Sequence, residues 1–135
     1  FADHTLLEQA IANVISNGLK YSPEETQVVV HLEMIEADGL LVKISDQGKG
    51  ILPKDKGLIF EPFSRGSNVG DVSGAGLGLY FARMIVESHG GNIWVEDNVP
   101  KGSTFCITFP KQLLLEATGN SYSDGKSRSL AKLTS

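Results

Sequence analysis

Residues 73–91 read SGAGLGLYFARMIVESHGG. Gly74, Gly76 and Gly78 stand two apart, directly before a run with helical apolar spacing. Glycine costs a helix about 1 kcal/mol per residue relative to alanine, so three at a helix entrance need a reason. Glycine lets the backbone come close to another group. A helix N-terminus presents unpaired amides and the positive end of a dipole, which suits phosphate. The spacing G-x-G-x-G after a loop differs from the dinucleotide fingerprint G-x-G-x-x-G, which follows a strand. The other phosphate-loop candidate, GNSYSDGKS at 119–127, has five residues between its glycines where a Walker A loop has four, and no strand precedes it.

Working outward, LGLYFARMIVESHG is expected to be a helix with Leu77, Phe81, Met84 and Ile85 on its core side and His89 and Gly90 at its C-terminal cap. Residues 3–21, DHTLLEQAIANVISNGLKY, predict a first helix capped by Asp3 or Thr5. Leu7, Ala10, Ile11, Val14, Gly18 and Tyr21 fall on one face of it. Pro23 ends that helix because it disfavours helical backbone at Ser22. TQVVVHLEMIEA and GLLVKISD predict two strands joined by a hairpin turn at ADG. GNIWVEDN and GSTFCITFP predict two more, joined at VPKG. Between the strand pairs, residues 47–73 carry glycine, proline and serine around a short GLIF knot, which predicts a long loop holding about one helical turn. Long loops in compact domains are usually functional. QLLLEA reads as a further helical piece, and the polar stretch after it is expected to be disordered. Paired strands and two amphipathic helices imply a two-layer α/β sandwich with a mixed, mostly antiparallel sheet covered on one face.

Length and charge narrow the function. A chain of 135 residues suits one domain with a real core. Its net charge of −4 gives no support for nucleic-acid binding. Its apolar stretches are too short to cross a bilayer. The single cysteine, Cys106, reads as a buried structural thiol, which excludes an internal disulfide or cysteine-rich zinc site.

Three further features bear on chemistry. Gln9, Asn13, Asn17 and Lys20 share an arc of roughly 80° on the first helix. An amide oxygen there suits Mg²⁺, and a neighbouring lysine suits phosphate; a plain solvated face gives the same pattern. Asp46 ends a strand whose Val42 and Ile44 share its face, so it points toward the core. It is then either a carboxylate that accepts from the exocyclic amine of adenine, with Gly48 and Gly50 leaving room for a flat ring, or a turn aspartate that caps its own loop. Phe60 and Phe63 would anchor the long loop, and Arg65 either reaches phosphate or is a surface arginine.

Taken together and in order, NVISNGLKYS, DQGKGI, IFEPFSRG and GAGLGL resemble the N, G1, F and G2 boxes of the sensor histidine kinase catalytic domain, in the GHKL ATP-binding superfamily. The resemblance covers roughly residues 3–110. It implies the GHKL fold over residues 1–111, with an ATP lid at about 47–76 and a polar tail at 112–135. It also implies ATP and Mg²⁺ as ligands. Asn17 would coordinate Mg²⁺ and Asn13 would help to hold metal and water. Lys20 would touch phosphate and Tyr21 would flank the nucleotide. Asp46 would read the adenine amine, with Gly48, Gly50 and Ile51 shaping the base pocket. Phe60 and Arg65 in the F box and Gly74, Gly76, Leu77 and Gly78 in the G2 box complete the nucleotide contacts.

ATP-hydrolysing members of the superfamily carry glutamate at the position of Asn13 as a general base, and an amide has no useful basicity. The resemblance therefore implies transfer of the γ-phosphoryl group to a histidine on a separate dimerisation and phosphotransfer domain, then to a response regulator receiver domain. None of His4, His31 and His89 fits the acceptor motif. The expected setting is cytoplasmic, with no direct membrane contact by this chain. An ATP-hydrolysing clamp and a nucleotide-binding scaffold without kinase activity are the competing expectations. The family domain usually carries a strand or two before this first helix, so the chain is expected to be an N-terminally truncated piece of a larger protein. Gly18 stands where the family usually has alanine.

Overall fold

The computed structural model describes residues 3–35, 39–62 and 77–113, and the backbone of 128–134. The first helix, α1, spans His4–Tyr21. Asp3 caps it, its Oδ1 accepting from the Leu6 N–H at 3.0 Å, which satisfies one of the amides a helix start leaves unpaired. Ser22 leaves the helix in extended backbone at φ −86°, ψ 145°, as the proline after it requires. Ala10, Val14 and Gly18 form the buried stripe of α1.

Strands β1 (Gln27–Ile35) and β2 (Gly39–Ser45) form the first hairpin. The second helix, α2, spans Gly78–Ser88, and β3 (Asn92–Asp97) and β4 (Ser103–Phe109) form the second hairpin. β4 pairs with β2, so the hairpins join into one sheet. A fifth strand, β5 (Arg128–Thr134), pairs with the outer edge of β1 across a register shift between Val30 and His31. The order is β3-β4-β2-β1-β5. Every neighbouring pair is antiparallel among the described residues, so the sheet is not mixed there.

One face of the sheet supplies Val28, Val30, Val42, Ile44, Val95, Phe105 and Ile107 to the core, and α1 and α2 cover it. Fully burying a side chain such as Phe105 or Ile107 is worth about 1.5–3 kcal/mol. The helices also touch each other at their far ends. The Asp3 N–H donates to His89 Nε2 at 3.0 Å, and His89 Nδ1 donates to the Ile85 carbonyl at 2.8 Å. His89 thus ties the end of α2 to the start of α1.

Two expectations need correction. Phe81 and Met84 do not face the core: they are 46% and 48% exposed, and Ala82 and Val86 are buried instead. The small side chains let α2 approach the sheet closely, and the large ones are turned toward the crevice between α2 and α1. The disordered tail is the second. Residues 128–134 form a strand, because the outer edge of β1 otherwise offers an unpaired row of amides and carbonyls.

Candidate functional site

The C-terminal half of α1, the end of β2 and the start of α2 meet in one region. An ideal Cβ built on Gly18 would lie 3.6 Å from the Asp46 Cβ, so the fourth turn of α1 rests on that aspartate. A Cβ on Gly48 would lie 2.7 Å from the Tyr21 carbonyl oxygen. Only glycine lets the loop after β2 close onto the end of α1 there. The Gln47 N–H donates to Ser22 Oγ at 3.2 Å and reinforces the same junction.

Asp46 is 5% exposed. Its Oδ1 accepts from the Gly48 N–H at 2.9 Å and from the Ser103 N–H at 3.1 Å. Its backbone N–H donates to the Ser103 carbonyl at 2.8 Å, and its carbonyl accepts from Asn98 Nδ2 at 2.8 Å. Oδ2 alone has no hydrogen-bond partner among the described residues. Burial raises the carboxyl pKa above its ordinary value, while the bonds from Gly48 and Ser103 pull it back. The loop-capping reading of this aspartate is met by one oxygen, which leaves the other without a partner among the described residues.

Asn13 and Asn17 lie one turn apart on α1. Asn13 Nδ2 donates to the Gly78 carbonyl at 3.3 Å, which ties α1 to the first residue of α2. Asn17 is half-buried and engages no partner among the described residues. Lys20 is exposed in the last turn of α1, and Tyr21 is half-buried behind it. At its own start α2 has Leu77 in the cap position with no side-chain cap, and no acidic residue in its first turn. Among the described residues no side chain caps its leading amides, the condition that favours an anion. Among the described residues, no group of three or more His, Cys, Asp or Glu side chains stands ready to hold a metal. A divalent ion would have to arrive with its ligand and add an amide oxygen of the Asn17 type.

The root of the long loop is well anchored. It makes single 3-10 turns at Pro53–Asp55 and Leu58–Phe60. Gly50 takes φ +80°, where glycine is favoured, and Ile51 is half-buried against the core. Phe60 anchors that root: it is 5% exposed and packs edge-on against Phe105, with ring centroids 6.1 Å apart. Arg65, Gly74 and Gly76 lie outside the described residues, as do Phe63 and the rest of the expected lid from 63 to 76.

The sequence reading missed the β3–β4 turn, residues 98–102, which it took only as a connection. Asn98 and Ser103 hold Asp46 across more than fifty positions of chain, and local patterning carries no signal of that. It also missed the open groove of about 560 Å³ lined by Leu6, Gln9, Asn13, Phe81, Met84, Ile85 and Ser88. The apolar positions were visible, but their side of the helix was not.

A two-layer sandwich with an acceptor-only carboxylate at the end of β2, amides along α1 and the start of α2 tied to Asn13 has the features of a nucleotide-binding class of protein. The family described as "Histidine kinase-, DNA gyrase B-, and HSP90-like ATPase" matches residues 2–113, and the chain belongs to it. The sensor histidine kinase WalK of Bacillus subtilis is 38% identical over 111 residues, covering 80% of this chain and 18% of WalK. The chain thus spans less than a fifth of that curated relative. Among solved structures, the mycobacterial sensor histidine kinase MprB superposes with a TM-score of 0.77 at 35% identity, covering 82% of this chain and 75% of the other. Full-length ShkA in complex with AMPPNP superposes with a TM-score of 0.67 at 27% identity, over 81% of this chain and 22% of ShkA. No helix among the described residues is long and apolar enough to cross a membrane.

Proposed function

We propose that this chain is the ATP-binding catalytic domain of a two-component sensor histidine kinase, passing the γ-phosphoryl group of ATP to a histidine on a separate helical dimerisation domain. The observation that carries the reading is Asp46: a buried carboxylate with one oxygen held by two amides and the other left for a donor, beside the amide ladder of α1. The relatives WalK and MprB are named sensor histidine kinases, and the ShkA structure is a complex with AMPPNP. A response regulator would be the next acceptor in the relay.

In this reading Asp46 Oδ2 accepts from the adenine amine, and Tyr21 flanks the base. The phosphates lie toward the start of α2, where the leading amides and the dipole would receive them. Gly74, Gly76 and Arg65 would complete that end, with Lys20 at the rim. Asn17 would hold Mg²⁺, whose bound form supplies charge neutralisation along the phosphates. Asn13 is held by Gly78 and, as an amide, cannot take a proton from water. The site therefore positions the phosphoryl donor and leaves the nucleophile to arrive from outside. The groove beside Asn13 gives that acceptor a place to dock: Phe81 and Met84 present an apolar face next to the phosphate end.

The test is phosphotransfer with radiolabelled Mg-ATP. The chain alone should stay unlabelled, and an added helical histidine domain from the same protein should become labelled on histidine. Steady phosphate release by the chain alone, abolished by Asp46→Asn, would instead make it an ATP-hydrolysing clamp.

A further inference from the structure

We infer that Asn98, in the turn between β3 and β4, is the positioning residue that aims Asp46 Oδ2 and so sets purine selectivity; this rests on the nucleotide reading above. Asn98 is half-buried and uses every hydrogen-bonding group it has except one amide hydrogen and its carbonyl. Its Nδ2 donates to the Asp46 carbonyl at 2.8 Å. Its Oδ1 accepts from the Val99 N–H at 2.9 Å, and its backbone N–H donates to the Gly102 carbonyl at 3.0 Å. The side chain is thus fixed by its own turn and reaches 52 residues back along the chain to the aspartate.

The turn is pressed onto Asp46 from a second direction. Gly102 takes φ +98°, and a Cβ there would lie 2.1 Å from the Asp46 carbonyl oxygen. Ser103 donates to Oδ1 and accepts from the Asp46 N–H. Gly48 holds Oδ1 from the opposite side. Backbone and side chain of Asp46 are therefore engaged at every polar atom but Oδ2. Among these restraints, the Asn98 bond is the one on the Asp46 carbonyl from a side chain, and the one that mutation can remove without rebuilding the backbone.

A second link joins the same turn to the lid root: Lys56 Nζ lies 2.9 Å from Asp97 Oδ1. The Asp97 side chain is 71% exposed, so this pair contributes little. The selectivity therefore depends on Asn98 and not on its charged neighbour. A carboxylate held in one orientation accepts from the 6-amino group of adenine and repels the 6-oxo group of hypoxanthine. Without the Asn98 bond the Asp46 carbonyl loses its side-chain restraint, and the main chain that carries the carboxylate shifts relative to the base, so the first preference weakens while the phosphate contacts remain.

The experiment measures the dissociation constants of Mg-ATP and Mg-ITP by calorimetry for the full chain, Asn98→Ala and Asn98→Asp. The second variant keeps an oxygen for the Val99 amide and replaces the donor to the Asp46 carbonyl with an acceptor-only carboxylate oxygen. Asp97→Asn serves as the neighbouring control. Both Asn98 variants should bind ATP about tenfold more weakly, the scale of one hydrogen bond to a charged acceptor. They should bind ITP within about twofold of the wild type, and Asp97→Asn should change neither. General loosening of the fold would weaken both nucleotides together and leave their ratio unchanged, and that result overturns the inference. So do Asn98 variants that bind ATP like a wild type that itself binds it. A wild type that binds neither nucleotide sinks the nucleotide reading, and the inference with it.

Discussion

Replacing Gly18 with alanine should stabilise the protein. Gly18 lies in the last part of α1 and is buried there. Glycine in a helix interior costs roughly 0.8–1 kcal/mol relative to alanine. A new methyl group would meet Val28 Cγ2 at 3.4 Å, Val28 Cγ1 at 3.5 Å and Asp46 Cβ at 3.6 Å, all ordinary van der Waals separations. The site therefore has room, and the methyl adds packing without displacing its neighbours. The expected gain is about 1 kcal/mol. With a denaturant slope of about 2 kcal/mol per molar in urea, the midpoint should rise by about 0.5 M, and Tm should rise by roughly 4 °C. Nucleotide affinity should stay unchanged, because the methyl touches the Asp46 Cβ and not its carboxylate. A midpoint that falls, or an ATP affinity that changes severalfold, would refute the reasoning by showing that α1 and Asp46 pack more tightly than these distances allow.

The same substitution at Gly48 should do the opposite. A Cβ there would sit 2.7 Å from the Tyr21 carbonyl, so Gly48→Ala should cost about 1–3 kcal/mol in urea melts and weaken ATP binding. Acidity should move stability and binding in opposite directions through Asp46. Its folded pKa is raised from 3.8 chiefly by burial, so its contribution to the stability of the free protein is fully present below that ordinary value and is lost as pH rises through the folded pKa. ATP affinity should instead fall on acidification through the same raised pKa, as the accepting oxygen is protonated. Calorimetry as a function of pH should show that step in the wild type and not in Asp46→Asn.

Much of the fold could be read from local chemistry. The start and end of α1 follow from Asp3 and Pro23, and the four core strands follow from alternation and turn residues. Asp46 could be placed because Val42 and Ile44 mark its side of β2. Where a residue's role depends on a distant segment, the local pattern carries no information. Phe81 and Met84 look like core positions on any helical wheel. That Ala82 and Val86 take the sheet side depends on how closely α2 sits on β3 and β4. Residues 128–134 become a strand because β1 offers them an edge, not because of their composition. Asn98 looks like an ordinary turn asparagine, and its side-chain partner belongs to another hairpin. Of the expected site residues, Asn13 meets Gly78, and Tyr21, Asp46 and Gly48 meet at the other end of the same helix. Phe60 anchors the loop, because its apolar ring fits a core position beside Phe105.

Titrating ATP into the chain by calorimetry, with and without Mg²⁺, beside folded Asp46→Asn and Asn17→Ala variants, tests the nucleotide site most directly. The wild type should bind Mg-ATP with saturable heat. Asp46→Asn should lose at least tenfold in affinity, the value of a hydrogen bond to a charged acceptor. Asn17→Ala should bind with the same affinity whether or not Mg²⁺ is present. A folded wild type that shows no binding, or one whose affinity ignores both substitutions, would contradict the assignment of this cleft as the ATP site.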